Sequence, residues 1–351
     1  MTRWLRIAAS IALVAAIFIF ALPKVADFSE VWLAMREMTW LELVTLTAIA
    51  VWNIVTYWFV MMSALPGSNV WQTMKVNQAS TAVANTLPGG GAIGVGVTYG
   101  MFHAYGFSRA RISLMVLVTG IWNNFVKLGM PVVALGLLAL QGDASKSLMA
   151  AAVAGVVTLA LAVGLFVGIL VSEGAARRVG MWLEKAWRGI LRVARKQNRG
   201  SVTEATLRFR TDAIELVKSR GVVLTVSTLI SHLSLYAVLL LALRHVGVSE
   251  NAATWIEVLA AFSFLRLVSA LPLTPGGLGV VELGLTAALV ATGAPRAESV
   301  AAVLVYRALT YLLPIPFGIV AYLKYRKGSA ARQARLQALE VPPAPVQPRT
   351  P

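Results

Sequence analysis

The amino-acid sequence predicts an all-α, polytopic membrane protein of about six spanning helices plus two Pro-Gly-Gly-broken helical hairpins arranged as an inverted repeat. Three observations predict it. Hydrophobic residues make up 58% of the 351 residues and charged ones 13%, against roughly 25% charged in a soluble chain, so water is not the main solvent. Six apolar runs are long enough to cross a roughly 30 Å hydrocarbon core as helices, which satisfy their own backbone polar groups. Two further apolar stretches carry the same Pro-Gly-Gly break.

The six runs are Leu5 to Leu22, Leu41 to Met62, Ile112 to Leu140, Leu148 to Val171, Val222 to Leu243 and Ser299 to Leu323. The first follows Arg3 and Arg6, as a secretory signal would. Ala21-Leu22-Pro23-Lys24 lacks a small-x-small cleavage site, so a retained anchor is expected. Trp71 to Tyr105 is broken at Leu87-Pro88-Gly89-Gly90-Gly91, and Trp255 to Gly293 at Pro272-Leu273-Thr274-Pro275-Gly276-Gly277. Each arm reaches roughly 24 to 27 Å, marginal for a full crossing, and proline with paired glycines stops a helix. Each stretch therefore reads as a hairpin entering and leaving on one side.

Lys and Arg total 31 against 15 acidic residues, a net charge of +16. They collect between apolar runs, which points to an anionic cytoplasmic leaflet and away from nucleic acid. Arg3 and Arg6, the basic segment Ser172 to Arg220, and Lys324, Arg326 and Lys327 all come out on the cytoplasmic side of a cell membrane. Residues 1–323 form one transmembrane domain, with repeat units of about 41–140 and 222–323 and a basic amphipathic cytoplasmic loop at 172–220. Within that loop Met181 to Arg192 alternates apolar and basic faces, as an interfacial helix does. The basic, Pro-rich tail 324–351 is expected to be disordered and cytoplasmic.

Cysteine is absent, which excludes disulfides, thiolate metal sites and thiol nucleophiles. His103, His232 and His245 lack metal-ligand spacing and read as structural, so no metal or cofactor is expected.

An offset of 187 positions aligns Pro88-Gly89-Gly90 with Pro275-Gly276-Gly277, then Gly106 with Gly293, Arg109 with Arg296 and Val116-Leu117-Val118 with Val303-Leu304-Val305. The topology makes the two units inverted, an arrangement that transporters use for alternating access. The alternative is that Pro-Gly-Gly recurs simply as a tight helix connection.

Arg266, Glu282 and Arg307 sit at similar depth, roughly 12 to 17 Å from the outer face. Ions there need partners or a watery cavity, so Glu282 is expected to pair with Arg307 or Arg266. Thr274, Gly276 and Gly277 at the second break add backbone amides and a helix N-terminus suited to phosphate or carboxylate. The alternative is a Glu–Arg clasp with no ligand. In the first repeat Gly120 stands where Arg307 does in the second, and Asn123, Asn124 and Lys127 follow on the same helix. Asn85, Gly89, Gly90 and Lys127 complete the candidate substrate-binding set. The asparagines have an alternative role in helix–helix hydrogen bonds, and Lys127 in snorkelling.

With Asn85-Thr86-Leu87-Pro88-Gly89-Gly90-Gly91, and Leu271 to Glu282 followed by Arg307, the sequence resembles the lysylphosphatidylglycerol synthase transmembrane-region family, also described as flippase-like. The resemblance runs from about Leu5 to Leu323, and it implies multi-pass membrane location and lipid translocation between leaflets. Only a short tail follows Leu323, so the synthases' aminoacyl-transferase chemistry is not carried over. Tyr99 and Gly120 stand where relatives often have arginines.

The expected function is translocation or binding of an anionic lipid or polyprenyl-phosphate-linked substrate, without catalysis and with oligomeric state open. A membrane-embedded enzyme acting on a lipid-linked substrate would need an acid–base pair, and one buried carboxylate with no histidine partner does not provide one. A scaffold of an envelope-synthesis complex is the third reading.

Overall fold

The computed structural model describes residues 28–87, 89–142, 146–193, 200–268 and 277–340. These residues form helices α1 (Phe28–Arg36), α2 (Trp40–Ala64), α3 (Val70–Thr86), α4 (Gly90–Ala104), α5 (Arg109–Leu140) and α6 (Lys146–Val171). There follow α7 (Glu173–Val193), α8 (Val202–His245), α9 (Trp255–Val268), α10 (Val280–Ala291), α11 (Arg296–Arg307), a π-helical turn (Ala308–Leu312) and α12 (Pro314–Glu340). No strand occurs among the described residues.

Five helices are long and apolar enough to cross a membrane: α2, α5, α6 from Ala150, α8, and the rod Arg296–Gly328 that α11, the π turn and α12 make together. They correspond to five of the six apolar runs, and the remaining run, Leu5 to Leu22, lies outside the described residues. The most apolar window of α6 is only 6% buried, leaving Val153, Leu161 and Leu165 exposed. So much contiguous apolar surface is stable in hydrocarbon and unstable in water.

Both apolar stretches with Pro-Gly-Gly breaks are pairs of shorter helices, α3 with α4 and α9 with α10. Helix α3 opens with a capping box: Gln72 N donates to Asn69 Oδ1 at 2.9 Å, and Asn69 N to Gln72 Oε1 at 3.1 Å. It ends before Gly89, whose φ of +68° is a left-handed conformation that only glycine adopts freely. A Cβ on Gly90 would lie 2.5 Å from the carbonyl oxygens of Val83 and Ala84, and one on Gly94 would lie 2.8 Å from that of Ser80. The arms of this hairpin thus touch backbone to backbone, as small residues permit in lipid. Gly318 seats α12 on α3 in the same way, since a Cβ there would collide with Gln78 O and Ala82 Cβ.

Two large hydrophobic clusters hold the bundle, and α2, α5 and α8 run through both. One contains Leu46 and Ala50 of α2, Val126 to Ala134 of α5 and Tyr236 to Leu243 of α8, together with the second hairpin through Val258, Phe262, Leu285 and Leu289. The other contains Val60 to Ala64 of α2 with the adjoining Leu65, Ile112 to Trp122 of α5 and Leu216 and Leu224 of α8, together with the first hairpin through Val76, Ala79, Met101 and Phe102. The two hairpins therefore pack at opposite ends of the three long helices. Each also packs on the other half of the chain, α3 on α12 and α9 on α5.

Two expectations need correction. The segment 172–220 contains the expected amphipathic helix but is helical beyond it. Its first part is amphipathic α7, and from Val202 it is the lengthened start of the spanning helix α8. The tail is also helical further than expected: α12 continues past Leu323 to Glu340, and 341–351 lie outside the described residues.

Helix α7 is fastened to the start of α8 by Glu184. Its carboxylate accepts from Thr203 Oγ1 at 2.6 Å, from Thr203 N at 3.3 Å and from Ser201 Oγ at 3.3 Å, and pairs with Arg188. The Thr203 hydroxyl above all, with Arg188 and the Thr203 amide, holds this carboxyl down at about 2.

Two outcomes follow from this packing. Gly318→Ala is expected to destabilise the protein by about 1–3 kcal/mol through overpacking, read as a lowered unfolding temperature in detergent. Gly136→Ala, where an added Cβ meets nothing within 4 Å, should leave that temperature unchanged or raise it. Because the Glu184 carboxyl is depressed in the folded state, its contribution is intact at neutral pH. It is lost as pH falls from 4.5 towards about 2. Hydrogen exchange in α7, corrected for intrinsic rate, should show that step, and Glu184→Gln should remove it.

Candidate functional site

Between the two hydrophobic clusters, at mid-length of the three long helices, the side chains turn polar. Asn53 and Tyr57 of α2, Asn123 of α5 and Ser231 and His232 of α8 line a cavity of about 490 Å³. Helix α3 contributes Asn77, Gln78, Thr81 and Asn85 from one face, and α9 contributes Arg266. Arg266 also lines a second cavity of about 190 Å³ with Lys127, Tyr306 and Arg307, and so connects the two.

Arg307 is fixed from two sides. Its Nε donates to Glu282 Oε1 at 2.7 Å, in a pair whose side chains are 12% and 2% exposed. Its guanidinium carbon stands 4.3 Å from the Tyr311 ring centroid, a cation–π geometry. The other oxygen of Glu282 accepts from Gly279 N at 2.6 Å, so the carboxylate also closes the N-terminal turn of α10. With both oxygens engaged and 1% of the residue exposed, Glu282 is a positioning residue for Arg307.

Tyr311 reaches this position because the helix widens there. Pro314 has no N–H to continue the α ladder and crowds the carbonyl one turn before it. The chain responds with the π turn Ala308–Leu312, in which Leu313 N donates to Ala308 O at 2.8 Å. Tyr311 then closes on the first break: its hydroxyl donates to Asn85 O, and Asn85 Nδ2 donates to Tyr311 O at 3.1 Å.

Of the sequence-selected residues, Lys127, Arg266 and Arg307 meet at the smaller cavity, and Glu282 stands behind Arg307. Asn85 lines the larger one. Gly89 and Gly90 shape the bend, and the neighbouring Gly91 lines the cavity. Gly277, with φ of +71°, begins the described part of the second hairpin's return arm, whereas Thr274 and Gly276 lie outside the described residues. Asn53, Tyr57, Asn77, Gln78 and Tyr311 escaped the sequence reading. The polar stripe at 77, 78, 81 and 85, at helical spacing inside a nominally apolar stretch, is a signal that marks Asn77 and Gln78. Among the described residues no group of His, Cys, Asp or Glu is arranged to hold a metal ion.

Fold and site together define a multi-pass helical membrane protein with a polar, cationic interior. The chain belongs to the family of lysylphosphatidylglycerol synthase transmembrane regions, whose model matches residues 7–318. Comparison with individually curated proteins finds no match.

Removing one partner of a buried ion pair costs about 3–5 kcal/mol, while replacing both by apolar groups is often close to neutral. Glu282→Ala should therefore lower the unfolding temperature in detergent sharply. The double variant Glu282→Leu with Arg307→Met should recover most of that loss.

Proposed function

We propose that this protein is a flippase-like membrane protein that binds an anionic lipid or a polyprenyl-phosphate-linked substrate and moves it between leaflets without chemical change. The observation that carries the reading is the meeting of Lys127, Arg266 and Arg307 at one cavity inside an apolar bundle. Cations at such depth are costly and belong with a counter-ion or a watery path. A phosphate or carboxylate group on a lipid complements the positive charge of that cavity.

An inverted repeat is the second element of the proposal. It is supported by the gapless alignment at offset 187, by hairpins packed at opposite ends of α2, α5 and α8, and by the crossed contacts of α3 with α12 and α9 with α5. Exchanging the conformations of two such halves would open the central cavity first to one leaflet and then to the other. With a first span at Leu5 to Leu22, six crossings put both termini in the cytoplasm of a cytoplasmic membrane, where basic α7 rests on anionic lipid.

The test is reconstitution into vesicles with fluorescent anionic lipids, following dithionite quenching of the outer leaflet. Wild-type protein should accelerate exchange over empty vesicles, and Arg266→Gln should slow it about tenfold, the loss of roughly 1.4 kcal/mol of binding. No acceleration across phosphatidylglycerol, phosphatidylinositol and a polyprenyl phosphate would overturn the proposal.

A further inference from the structure

We propose that the groove between α5, α6 and α8 binds one anionic phospholipid, with a hydrocarbon chain lying along the groove and the phosphate at Arg210. The described lining of this groove shares no residue with either polar cavity, so the inference stands apart from the proposed transport. Helix α5 turns Thr119, Gly120 and Asn123 to the larger polar cavity and Trp122, Phe125 and Gly129 to the groove. Helix α8 divides in the same way, with Ser231 and His232 on one side and Leu229 and Leu233 on the other.

The groove encloses about 630 Å³. Among its described lining residues, Trp122 and Thr225 alone carry polar side-chain atoms, and both are satisfied within the protein. Trp122 Nε1 donates to Thr225 Oγ1 at 2.9 Å, and Thr225 Oγ1 donates to Gly221 O at 2.8 Å. Water gains no hydrogen bonds from such a wall. An apolar cavity of roughly 150 Å³ already stays dry, and the cost of an empty one grows with its volume, so this larger groove takes up hydrocarbon. Val133, Val163 and Leu233 are exposed and leave it open to the surrounding lipid. Along α6 it runs from Leu159 to Leu170, roughly 16 Å at 1.5 Å per residue, which matches half of a roughly 30 Å hydrocarbon core. The groove therefore has the length of a chain from one leaflet.

Charge at the end where α6 stops selects the headgroup. Arg210 lies about two turns before the lining residue Val217 on the same face of α8. Its Nη2 donates to Val171 O at 3.3 Å, so the guanidinium stands beside the end of the groove at Leu170. Its Nε is buried and has no hydrogen-bond partner among the described residues. The acidic residues nearby in sequence are directed elsewhere: Glu173 pairs with Arg177 at 3.4 Å, Glu204 pairs with Arg208 at 4.0 Å, and Asp212 and Glu215 fall on the opposite half of α8. Arginine binds phosphate through several N–H donors at once. Arg177 and Arg178 at the start of α7 add positive charge, which favours a headgroup of net negative charge over a zwitterionic one.

Gly129 makes the groove testable. A Cβ there meets only Leu159 Cδ2, at the ordinary contact distance of 3.7 Å, so a larger side chain grows into the groove without displacing backbone.

The experiment titrates the purified full-length chain in detergent with phosphatidylglycerol or phosphatidylcholine carrying a diazirine in one acyl chain. After illumination, mass spectrometry reads the label on peptides from 122–133 and 159–170, which reports the groove alone. Labelling by phosphatidylglycerol should saturate, with an affinity at least tenfold higher than that of phosphatidylcholine. Arg210→Gln should bring phosphatidylglycerol down to the level of phosphatidylcholine. Gly129→Phe and, separately, Val163→Trp, each checked for an unaltered helical circular-dichroism spectrum, should lower the affinity for both lipids about tenfold. Label that rises without saturation, equal affinity for the two lipids, or undiminished binding in Arg210→Gln or in both groove-filling variants would each overturn the inference. So would saturable label confined to other peptides, the outcome expected if the apolar run Leu5 to Leu22 of this chain fills the groove instead.

Discussion

Inside a hydrocarbon layer a polar group finds a partner within the protein or pays several kcal/mol for lacking one, and this condition shapes the molecule from the backbone outward. It explains why the described chain is helical throughout, because helices pair their own amides. It explains why the break at Gly89 lies against another part of the chain: Asn85, two residues before Leu87, exchanges hydrogen bonds with Tyr311. It also explains why the carboxylate of Glu282 divides its oxygens between Arg307 and the amide of Gly279.

Glycine and proline carry out most of the shaping, through opposite effects. Gly90, Gly94 and Gly318 remove side chains so that backbones touch, which brings the first hairpin against α12 closely enough for Asn85 and Tyr311 to meet. Pro314 instead prevents a regular helix. The resulting π turn carries Tyr311 over the Arg307 guanidinium. A bend in one half of the chain and a widened turn in the other thus meet beside the cationic cavity. Movement of either arm would be felt by the other.

The arrangement of polarity along the long helices separates packing from function. Leu46 and Ala50, then Asn53 and Tyr57, then Val60 to Ala64 follow one another on α2, and α5 and α8 show the same succession. Apolar residues at both ends lock the bundle, and the polar middle lines the cavity. The mid-length cavity meets the smaller cationic one at Arg266.

Composition and the length of apolar runs were enough to read the membrane, the described spans and the helix breaks, because each rests on hydrophobicity and on glycine and proline chemistry that act locally, while the family was read from the resemblance of its Pro-Gly-Gly motifs. The three cations and Glu282 were legible for a related reason, since charge inside an apolar run is conspicuous. The sequence did not show the helix over 202–221 or the one over 324–340, where helices extend beyond the apolar runs through packing and polar contacts such as that of Glu184 with Thr203. It left open whether Glu282 would take Arg307 or Arg266, and it was silent on the cavity of about 490 Å³. Those were decided by tertiary structure alone, because Asn53, Asn77, Asn123 and His232 become one surface only when three long helices and a hairpin arm are packed side by side.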